Sequence, residues 1–202
     1  MRYWLDTEFI EDGETIDLIS IGIVAEDGRE LYLQYIGFNM LAANDWIQNN
    51  VFPHLVVCPF GPLALGPSLR HHYNGQCQFY KYPKETLGNY AECPWRSREQ
   101  LKHEILHFMD IEKYGKPELW GWCAGHDFVA FCQLFGTMMD MPKGYPHYIK
   151  DFQYVLDERG ITDEQLPEQG EGLHNALADA HHLKRLWGSI VRNDALRNKE
   201  AL

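Results

Sequence analysis

Positive charge is scarce in this chain of 202 residues, in which 18 Lys and Arg face 29 Asp and Glu and give a formal net charge of −11 at pH 7. A protein that covers nucleic acid through its phosphates normally has the opposite balance, so extensive duplex binding is not expected. No apolar run approaches the length of a membrane span. No basic segment, apolar stretch and cleavage site follow Met1 in series, so we expect a cytoplasmic protein without a secretory signal.

Cysteines are also few, and their number, five, is odd. Scattered cysteines in a chain of this size argue against a disulfide framework, and reduced thiols are expected. Pro and Gly interrupt every periodic pattern over 54–94, which favours an irregular insertion that could shape the rim of a site. A zinc site in it is an alternative, although the spacings are wide and no Cys-x-x-Cys pair exists. Its ligands would come from Cys58, Cys77, Cys93, His71 and His72.

Three strand patterns joined by short turns occupy the first 36 residues. Apolar and β-branched residues fill 2–10, 15–25 and 30–36. Asp27-Gly28, between the last two, is a strong hairpin signal. We therefore predict an antiparallel three-stranded meander.

Helical and extended patterns alternate in the rest of the chain. Ser97 and Gln100 form a capping box ahead of a helical periodicity, and Asn44 is a candidate helix cap. The predicted elements are helices at 44–51, 97–114, 127–135, 151–159 and 175–193, a strand at 118–123 and a short strand at 147–149. This order predicts one α/β domain over 1–202, with a mixed sheet of three antiparallel strands plus parallel strands flanked by helices.

Two carboxylates stand among large apolar residues in the first predicted strand. Side chains alternate along a strand, so Asp6 and Glu8 share one face with Trp4. Side by side the two acids repel each other, and at neutral pH they either share a proton or hold a multivalent cation. The plainer alternative is a strand end whose acids are simply solvated.

Two further acids lie where helices are predicted to begin. Asp127 opens one helix, and Asp179 lies in the first turns of the last helix, where the helix dipole favours an ionised carboxylate. The plainer alternative is that either acid only stabilises its helix through this dipole and binds no ligand. His174 precedes Asp179 by five residues. The two converge only if His174 lies just outside the helix, with Asn175 as the cap. On composition alone, other histidines are alternatives to His174, namely His126, His181 and His182.

The ordered set of Asp-x-Glu on a first strand, Asp at a mid-chain helix start and His-x4-Asp near the end resembles the DEDDh 3′-to-5′ exonucleases of the ribonuclease-H-like fold. A closer similarity is to RNase AS, the polyadenylate-specific exoribonuclease family. It rests on the segments YWLDTEFIEDGETID (3–17), LISIGIVAEDGRE (18–30), CQL (132–134) and ALADA (176–180). The resemblance covers nearly the whole chain except 54–94, which is longer than the family pattern.

The resemblance implies a metal-dependent enzyme that shortens single-stranded RNA from an adenylate 3′ end and releases nucleoside 5′-monophosphates. It implies two divalent ions, Mg²⁺ or Mn²⁺, whose four positive charges would offset the acidic site. Asp6 would bridge the ions, with Glu8 and Asp179 completing one site. Asp127 would support the other ion, and His174 would act as general base.

The resemblance also implies a homodimer. Trp46, Trp187 and the insertion offer apolar surface for it. An oligoribonuclease, a DNA exonuclease of the same superfamily and a non-catalytic RNA-end-binding module are the alternative functions.

Substrate contacts are expected from the neighbours of the acids, most of which carry π faces on which bases can stack. They are Thr7, Phe9, Trp122, His126 and Phe128. Stacking tolerates any base, so an adenine preference needs a partner for the base edge, and Gln133 is one candidate. At His126 the family carries Tyr, a departure that bears on how the terminal nucleotide is held.

Overall fold

Six strands form one mixed sheet in the computed structural model, which describes residues 1–56 and 93–200 and, over 191–200, the backbone alone. The strands are β1 (Arg2–Glu11), β2 (Ile16–Ala25), β3 (Glu30–Tyr35), β4 (Trp95–Arg96), β5 (Glu118–Gly121) and β6 (Lys150–Asp151). Their order across the sheet is β4-β3-β2-β1-β5-β6. β1, β2 and β3 pair antiparallel, and β4, β5 and β6 are joined to the sheet by parallel pairings. The predicted α/β, ribonuclease-H-like fold class is confirmed.

Tight turns connect the antiparallel strands as the sequence predicts. At the first turn the Asp12 carboxylate accepts hydrogen bonds from the N–H groups of Glu14 at 2.9 Å and Thr15 at 2.7 Å. At the second turn Gly28 has a φ of 93°, a conformation that suits glycine. The three-stranded meander is therefore set by local turn chemistry.

Helices cover both faces of this sheet. They are α1 (Asp45–Asn50), α2 (Arg98–Phe108), α3 (Ile111–Tyr114), α4 (Gly125–Phe135), α5 (Phe152–Arg159) and α6 (Ala176–Glu200). Short 3₁₀ turns lie at Met40–Ala42, Phe52–His54, Met138–Asp140 and Asp163–Gln165. Asn44 caps α1, and the Ser97–Gln100 capping box begins α2, both as predicted. None of the helices in the described part of the chain combines the length and apolarity that a bilayer crossing requires.

The apolar core lies on both sides of β1. Tyr3 and Leu5 pack with α2 and α4 on one face of the sheet. Trp4 packs with α5 and α6 on the other face. A third cluster joins α1 to Trp95 in β4. Residues 3–5 of β1 are apolar on both faces, and the acids of this strand follow them from Asp6 onward.

Two predicted boundaries are wrong for local reasons. The predicted helix 97–114 is interrupted, because the Asp110 carboxylate accepts hydrogen bonds from the N–H groups of Glu112 and Lys113 and starts α3 as a separate helix. The predicted strand 147–149 lies instead at Lys150–Asp151, where it pairs with Trp120 and Gly121 of β5.

The last helix is longer than predicted. Its backbone continues from Ala176 to Glu200 rather than ending at 193. Residues 194–200 include Ala, Leu, Arg, Lys and Glu and contain neither Gly nor Pro, so no local signal stops the helix. The predicted insertion at 54–94, with its zinc alternative, lies almost entirely outside the described residues, and the single-domain organisation stays a prediction.

Candidate active site

Three carboxylates meet beside the carboxyl-terminal half of β1. Asp6 and Glu8 come from β1 and Asp179 from α6, and one oxygen of each lies within 4.8 Å of the others. Strand alternation places Asp6 and Glu8 on the same face, as predicted. Glu8 is only 8% exposed, so this group is not a solvated strand end.

α6 reaches these acids because nothing separates its first turn from the sheet. Gly22 of β2 lies opposite Asp6 in the antiparallel pairing. A Cβ at Gly22 would meet the backbone of Ala176 and Leu177 at 2.3 Å. The start of α6 therefore lies directly on β2, which brings Asp179, three residues into the helix, next to Asp6 and Glu8.

Asp127 lies close to the three carboxylates and is held by β1. It belongs to the first turn of α4 and is 7% exposed. Its Oδ1 accepts two hydrogen bonds from Thr7, one from the backbone N–H at 2.8 Å and one from the hydroxyl at 2.6 Å. Asp127 is not a member of the group within 4.8 Å, but its charge acts on Asp6 and Glu8. Thr7 thus fixes the fourth acid beside the other three.

The four acids hold their protons more tightly than acids in water do. Burial, followed by the charges of Asp127, Glu8 and Asp179, raises the pKa of Asp6 well above its ordinary value. Burial raises the pKa of Glu8 to about 8, with Asp179 and Asp127 adding to the shift. Burial also raises the pKa of Asp127 against the hydrogen bonds from Thr7, and it raises that of Asp179.

No Lys or Arg pairs with these four acids in the described part of the chain. A buried cluster of like charges without basic partners can be relieved by protons or by a cation.

His174 stands next to this group at the start of α6. It has a φ of 64° and lies outside the helix, whose first turn is capped by Asn175 through a hydrogen bond from the Ala178 N–H to Asn175 Oδ1 at 3.1 Å. The structure therefore has the arrangement that the His-x4-Asp spacing requires. The charge of His174 acts on Asp179, opposing the burial that raises the pKa of that acid. The Trp46 ring contacts the imidazole, with ring centroids 4.8 Å apart and planes at 77°.

Of the other candidate histidines, His126 also lies beside an acid, because its charge opposes the burial that raises the pKa of Asp127. The remaining two have other surroundings. His181 pairs with Glu30 at 2.7 Å. His182 is 9% exposed, and burial lowers its pKa.

Comparison with known proteins assigns this chain to a family. The chain matches no protein-family model. Over 194 residues it is 34% identical to two proteins of Mycobacterium tuberculosis, from the strains CDC 1551 / Oshkosh and ATCC 25618 / H37Rv, each named a 3′-5′ exoribonuclease. The match covers 96% of this chain and 95% of each relative. The chain belongs to the 3′-5′ exoribonuclease family. Its acidic group and His174 are therefore the candidate active site of a nuclease.

The carboxylates of this exoribonuclease family member fit a divalent metal ion. Asp6, Glu8 and Asp179 present three oxygen ligands within 4.8 Å of one another. Hard cations such as Mg²⁺ and Mn²⁺ prefer carboxylate oxygens, and a cation would offset the charge of Glu8, whose pKa is raised by burial first and then by the charges of Asp179 and Asp127. Asp127, fixed by Thr7, is the further acid that could support a second ion.

The predicted substrate contacts of this exoribonuclease family member separate into two groups. Phe9 and His126 stack with centroids 5.6 Å apart and planes 23° apart, and the His126 side chain is 58% exposed. Trp122 instead donates a hydrogen bond from Nε1 to Gln153 Oε1 at 2.9 Å and packs on Phe152.

Phe128 stacks on Phe131 with centroids 6.3 Å apart and packs against the core. Thr7 is 5% exposed, and its hydroxyl is bound to Asp127. Phe9 and His126 are thus the pair that the structure brings together at the surface, and the substrate roles of all five residues stay predictions.

Several contacts at the site carry no sequence signal. The Gln169 side-chain amide donates a hydrogen bond to Asp179 Oδ1. Asn175 Nδ2 donates to the carbonyl of His54 at 3.2 Å, which connects the turn Phe52–His54 to the start of α6. Gln169 sits in an acidic linker without periodicity, so only the path of the folded chain shows its contact. The Trp46 contact is equally non-local.

Proposed function

We propose that this chain is a metal-dependent 3′-5′ exoribonuclease that removes nucleotides one at a time from the 3′ end of single-stranded RNA, with a preference for adenylate tails. The observation that carries the proposal is the meeting of Asp6, Glu8 and Asp179 within 4.8 Å beside His174, in a chain of the 3′-5′ exoribonuclease family. The adenylate preference rests on the resemblance to RNase AS.

The chemistry is hydrolysis of the last phosphodiester bond. A water oxygen attacks the phosphorus, the bond to the 3′ oxygen of the preceding nucleotide breaks, and the products are a nucleoside 5′-monophosphate and an RNA shorter by one nucleotide. When bound, divalent ions such as Mg²⁺ or Mn²⁺ supply charge stabilisation at the phosphate. Asp6, Glu8 and Asp179 hold them, with Asp127 supporting.

His174 takes the proton from the attacking water. Histidine is the side chain that changes protonation near neutral pH, so it can accept and release a proton within each turnover. The position of His174 outside α6, with a φ of 64°, supports this role, because its imidazole then lies beside the acids rather than on the helix surface. The contact with the Trp46 ring limits how far the imidazole can rotate.

The exposed stack of Phe9 on His126 supports single-stranded RNA as the substrate. Unpaired bases can stack on such π faces, whereas the bases of a duplex are already stacked on one another. A net charge of −11 supports the same choice, since it disfavours binding along a duplex.

The deciding experiment incubates the protein with labelled A-, U- and C-tailed RNA and with matched DNA, in Mg²⁺, in Mn²⁺ or in EDTA. Stepwise shortening of RNA from the 3′ end, with 5′-monophosphates released, is expected with either metal and not in EDTA, fastest on the A-tailed RNA. Equal rates on all tails would remove the adenylate preference and keep the nuclease. Preferred cleavage of DNA would make it a DNA exonuclease, and binding without cleavage would make it an RNA-end-binding module.

We also propose that the chain forms a homodimer, as the resemblance implies. Trp46 is 52% exposed and offers apolar surface. Trp187 contributes less than expected, because it packs on Trp4 and Trp120 with centroids 5.4 and 6.2 Å apart. Light scattering at micromolar concentration should give about twice 23.6 kDa, and a species of 23.6 kDa alone would contradict the dimer.

A further inference from the structure

A cleft of about 320 Å³ opens on the face of the sheet that carries α2 and α4, apart from the three-carboxylate group. Its floor is apolar and is formed by Leu18 of β2 with Ala130 and Leu134 of α4, all buried. Its rim is polar, with Asp17, Tyr35, Arg98 and Gln133. An apolar floor with a few convergent polar groups, in this size range, is the usual form of a small-ligand site.

The polar groups on the rim have unused hydrogen-bonding capacity. With the described residues, the Gln133 amide and the Tyr35 hydroxyl form no hydrogen bond. Arg98 donates only from Nε, to the carbonyl of Leu134 at 3.4 Å, and forms no ion pair with the described acids. Asp17 Oδ2 accepts from the Asn39 N–H at 2.7 Å, and nothing in the described chain binds its other oxygen.

These groups match the parts of an adenine nucleotide. A glutamine side-chain amide offers a donor beside an acceptor, which pairs with the adjacent amino group and ring nitrogen of adenine. A guanidinium binds phosphate oxygens. The flat apolar body of the base fits the floor of Leu18, Ala130 and Leu134.

The cleft also lies along a path that leads away from the acids. Ala130 and Leu134 follow Asp127 by three and seven residues on the same face of α4, about 4.5 and 10 Å along the helix axis. In the β1–β2 pairing, Leu18 lies opposite Phe9, and the ring of Phe9 stacks on His126. The stacked pair therefore lies on the same face of the sheet as the cleft, whereas Asp6 and Glu8 project from the opposite face. An RNA strand that joins the two places would pass Asp127 and the stacked pair at the start of α4.

We propose that this cleft binds an upstream adenine nucleotide of the RNA strand whose 3′ end lies at the carboxylates, with Gln133 reading the base edge and Arg98 contacting a phosphate. The proposal rests on the proposed exoribonuclease function and gives that function a second nucleotide subsite. Adenylate preference then arises away from the reacting bond, so it requires a chain long enough to reach the cleft.

The test uses oligoadenylates of two to eight nucleotides with the parent, Gln133→Leu, Arg98→Gln and the control Lys102→Gln. Gln133 and Arg98 are exposed, so their replacement leaves the core intact. Lys102 lies on α2, like Arg98, pairs with Glu99 at 3.9 Å and does not line the cleft, so it matches the charge change. The measured quantities are KM and kcat at each length.

For the parent, KM should fall once the chain is long enough to reach the cleft. Gln133→Leu and Arg98→Gln should raise KM for the long chains about 5- to 20-fold, leave KM for the dinucleotide unchanged and leave kcat unchanged, while Lys102→Gln follows the parent. On uridylate chains Gln133→Leu should have little effect. An equal rise in KM at every length, or no rise at any length, would overturn the proposal.

A binding experiment tests the cleft independently of RNA cleavage, so that an error in the subsite proposal can be distinguished from an error in the proposed function. Fluorescence anisotropy with labelled oligoadenylate, in an Asp6→Asn background, should show the same weakening by Gln133→Leu and the same dependence on length. If the parent cleaved no RNA, the nuclease proposal would fail, and this experiment would still decide the cleft. Tight binding of free AMP in the cleft with no dependence on chain length would overturn the strand subsite.

Discussion

The first strand carries charge near both of its ends, and the two ends hold that charge in different ways. At the start of β1, Arg2 lies 3.3 Å from Glu26 and 3.7 Å from Glu118, and Lys150 lies 2.8 Å from Glu118. These side chains are between 35% and 45% exposed. Every charge there has an opposite partner and contact with water.

The acids beside the far half of β1 have no Lys or Arg partner among the described residues, and two of them, Glu8 and Asp127, are almost fully buried. Asp6 and Glu8 meet Asp127 and Asp179, all four are acids, and no described Lys or Arg pairs with them. Exposed ion pairs contribute about 0–1 kcal/mol each, whereas buried like charges cost several-fold more. The acidic half is therefore not arranged for stability of the metal-free protein. It is suited to a positively charged ligand.

The largest effect should come from removing one acid of the group. Asp6→Asn keeps the size of the side chain and removes a charge that a metal ion needs, so hydrolysis should fall by at least about 10³-fold. The melting temperature in EDTA should rise, because repulsion is relieved. Glu26→Gln, at the paired start of the strand, is the matched control and should leave activity unchanged. Parental activity in Asp6→Asn would refute the metal-site assignment.

The next effect concerns the pH dependence of stability, whose sign should differ between the two ends of β1. The pKa of Glu8 rises from its ordinary value of 4.5 to about 8 in the folded chain. The folded state therefore holds a proton that the unfolded state releases, so the contribution of Glu8 to metal-free stability is fully present below pH 4.5 and is lost as pH rises toward 8. The loss amounts to at most about 5 kcal/mol.

Thermal unfolding in EDTA from pH 4.5 to 9 measures this slope. Glu8→Gln should flatten it, and Mg²⁺ should restore stability at high pH. Carboxylates that pair with basic groups make stability increase with pH instead. If stability increased with pH over this range, and Glu8→Gln did not change that increase, the description of the acidic half would be contradicted.

Loss of the proposed base should have the next largest effect. His174→Ala should reduce kcat by about 10²–10⁴-fold while metal binding persists, because it removes the proton acceptor and none of the carboxylates. The fall in rate on the acidic side of the pH–rate profile should disappear. His181→Ala is the control, since His181 pairs with Glu30 and not with the acidic group. A profile unchanged by His174→Ala would assign the base to another group.

A smaller effect should follow from loosening the fourth acid. Thr7→Val keeps the shape and strand preference of the residue and removes the hydroxyl donor to Asp127, leaving the backbone N–H bond in place. Activity should fall about 10- to 100-fold, the range seen when a partner of a metal ligand is lost. Thr15→Val, in the exposed β1–β2 turn, should not change the rate. Equal rates for the two variants would show that the Thr7 hydroxyl does not position Asp127.

The smallest effect is expected at the start of the strand. Glu26→Gln removes one exposed partner of Arg2 and should change the free energy of unfolding by less than about 1 kcal/mol, with even less change at high salt. Urea unfolding at two salt concentrations measures it. A loss of several kcal/mol would mean that the two ends of β1 differ less than their exposure suggests.

Local rules explain the parts of the site that the sequence could predict. The period of two along β1 places Asp6 with Glu8, and the helical period places His174 outside α6 if it is to meet Asp179. Both arguments need only neighbouring residues. The meander of β1, β2 and β3 follows in the same way from short turns.

Non-local packing explains the parts of the site that the sequence could not predict. The contact of Gln169 with Asp179 depends on the course of a linker without periodicity. Trp122 and Phe128 flank Asp127 in sequence, and only the fold shows that Trp122 binds Gln153 of α5 and that the ring of Phe128 packs against the core, while their substrate roles stay predictions. A neighbour in sequence shares a region of the fold, and helix rotation decides which way its side chain points.

Gly22, which lies beneath α6, restricts which substitutions this sequence can accept. Gly22 does not adopt a positive φ, so no turn requires it; the requirement is one of space alone. Even alanine, the smallest step in side-chain size, would add a methyl group at 2.3 Å from backbone atoms of Ala176 and Leu177, and backbone atoms cannot rotate aside as a side chain can. Gly22, a residue without a side chain, would therefore tolerate as little variation as the acids whose spacing it sets.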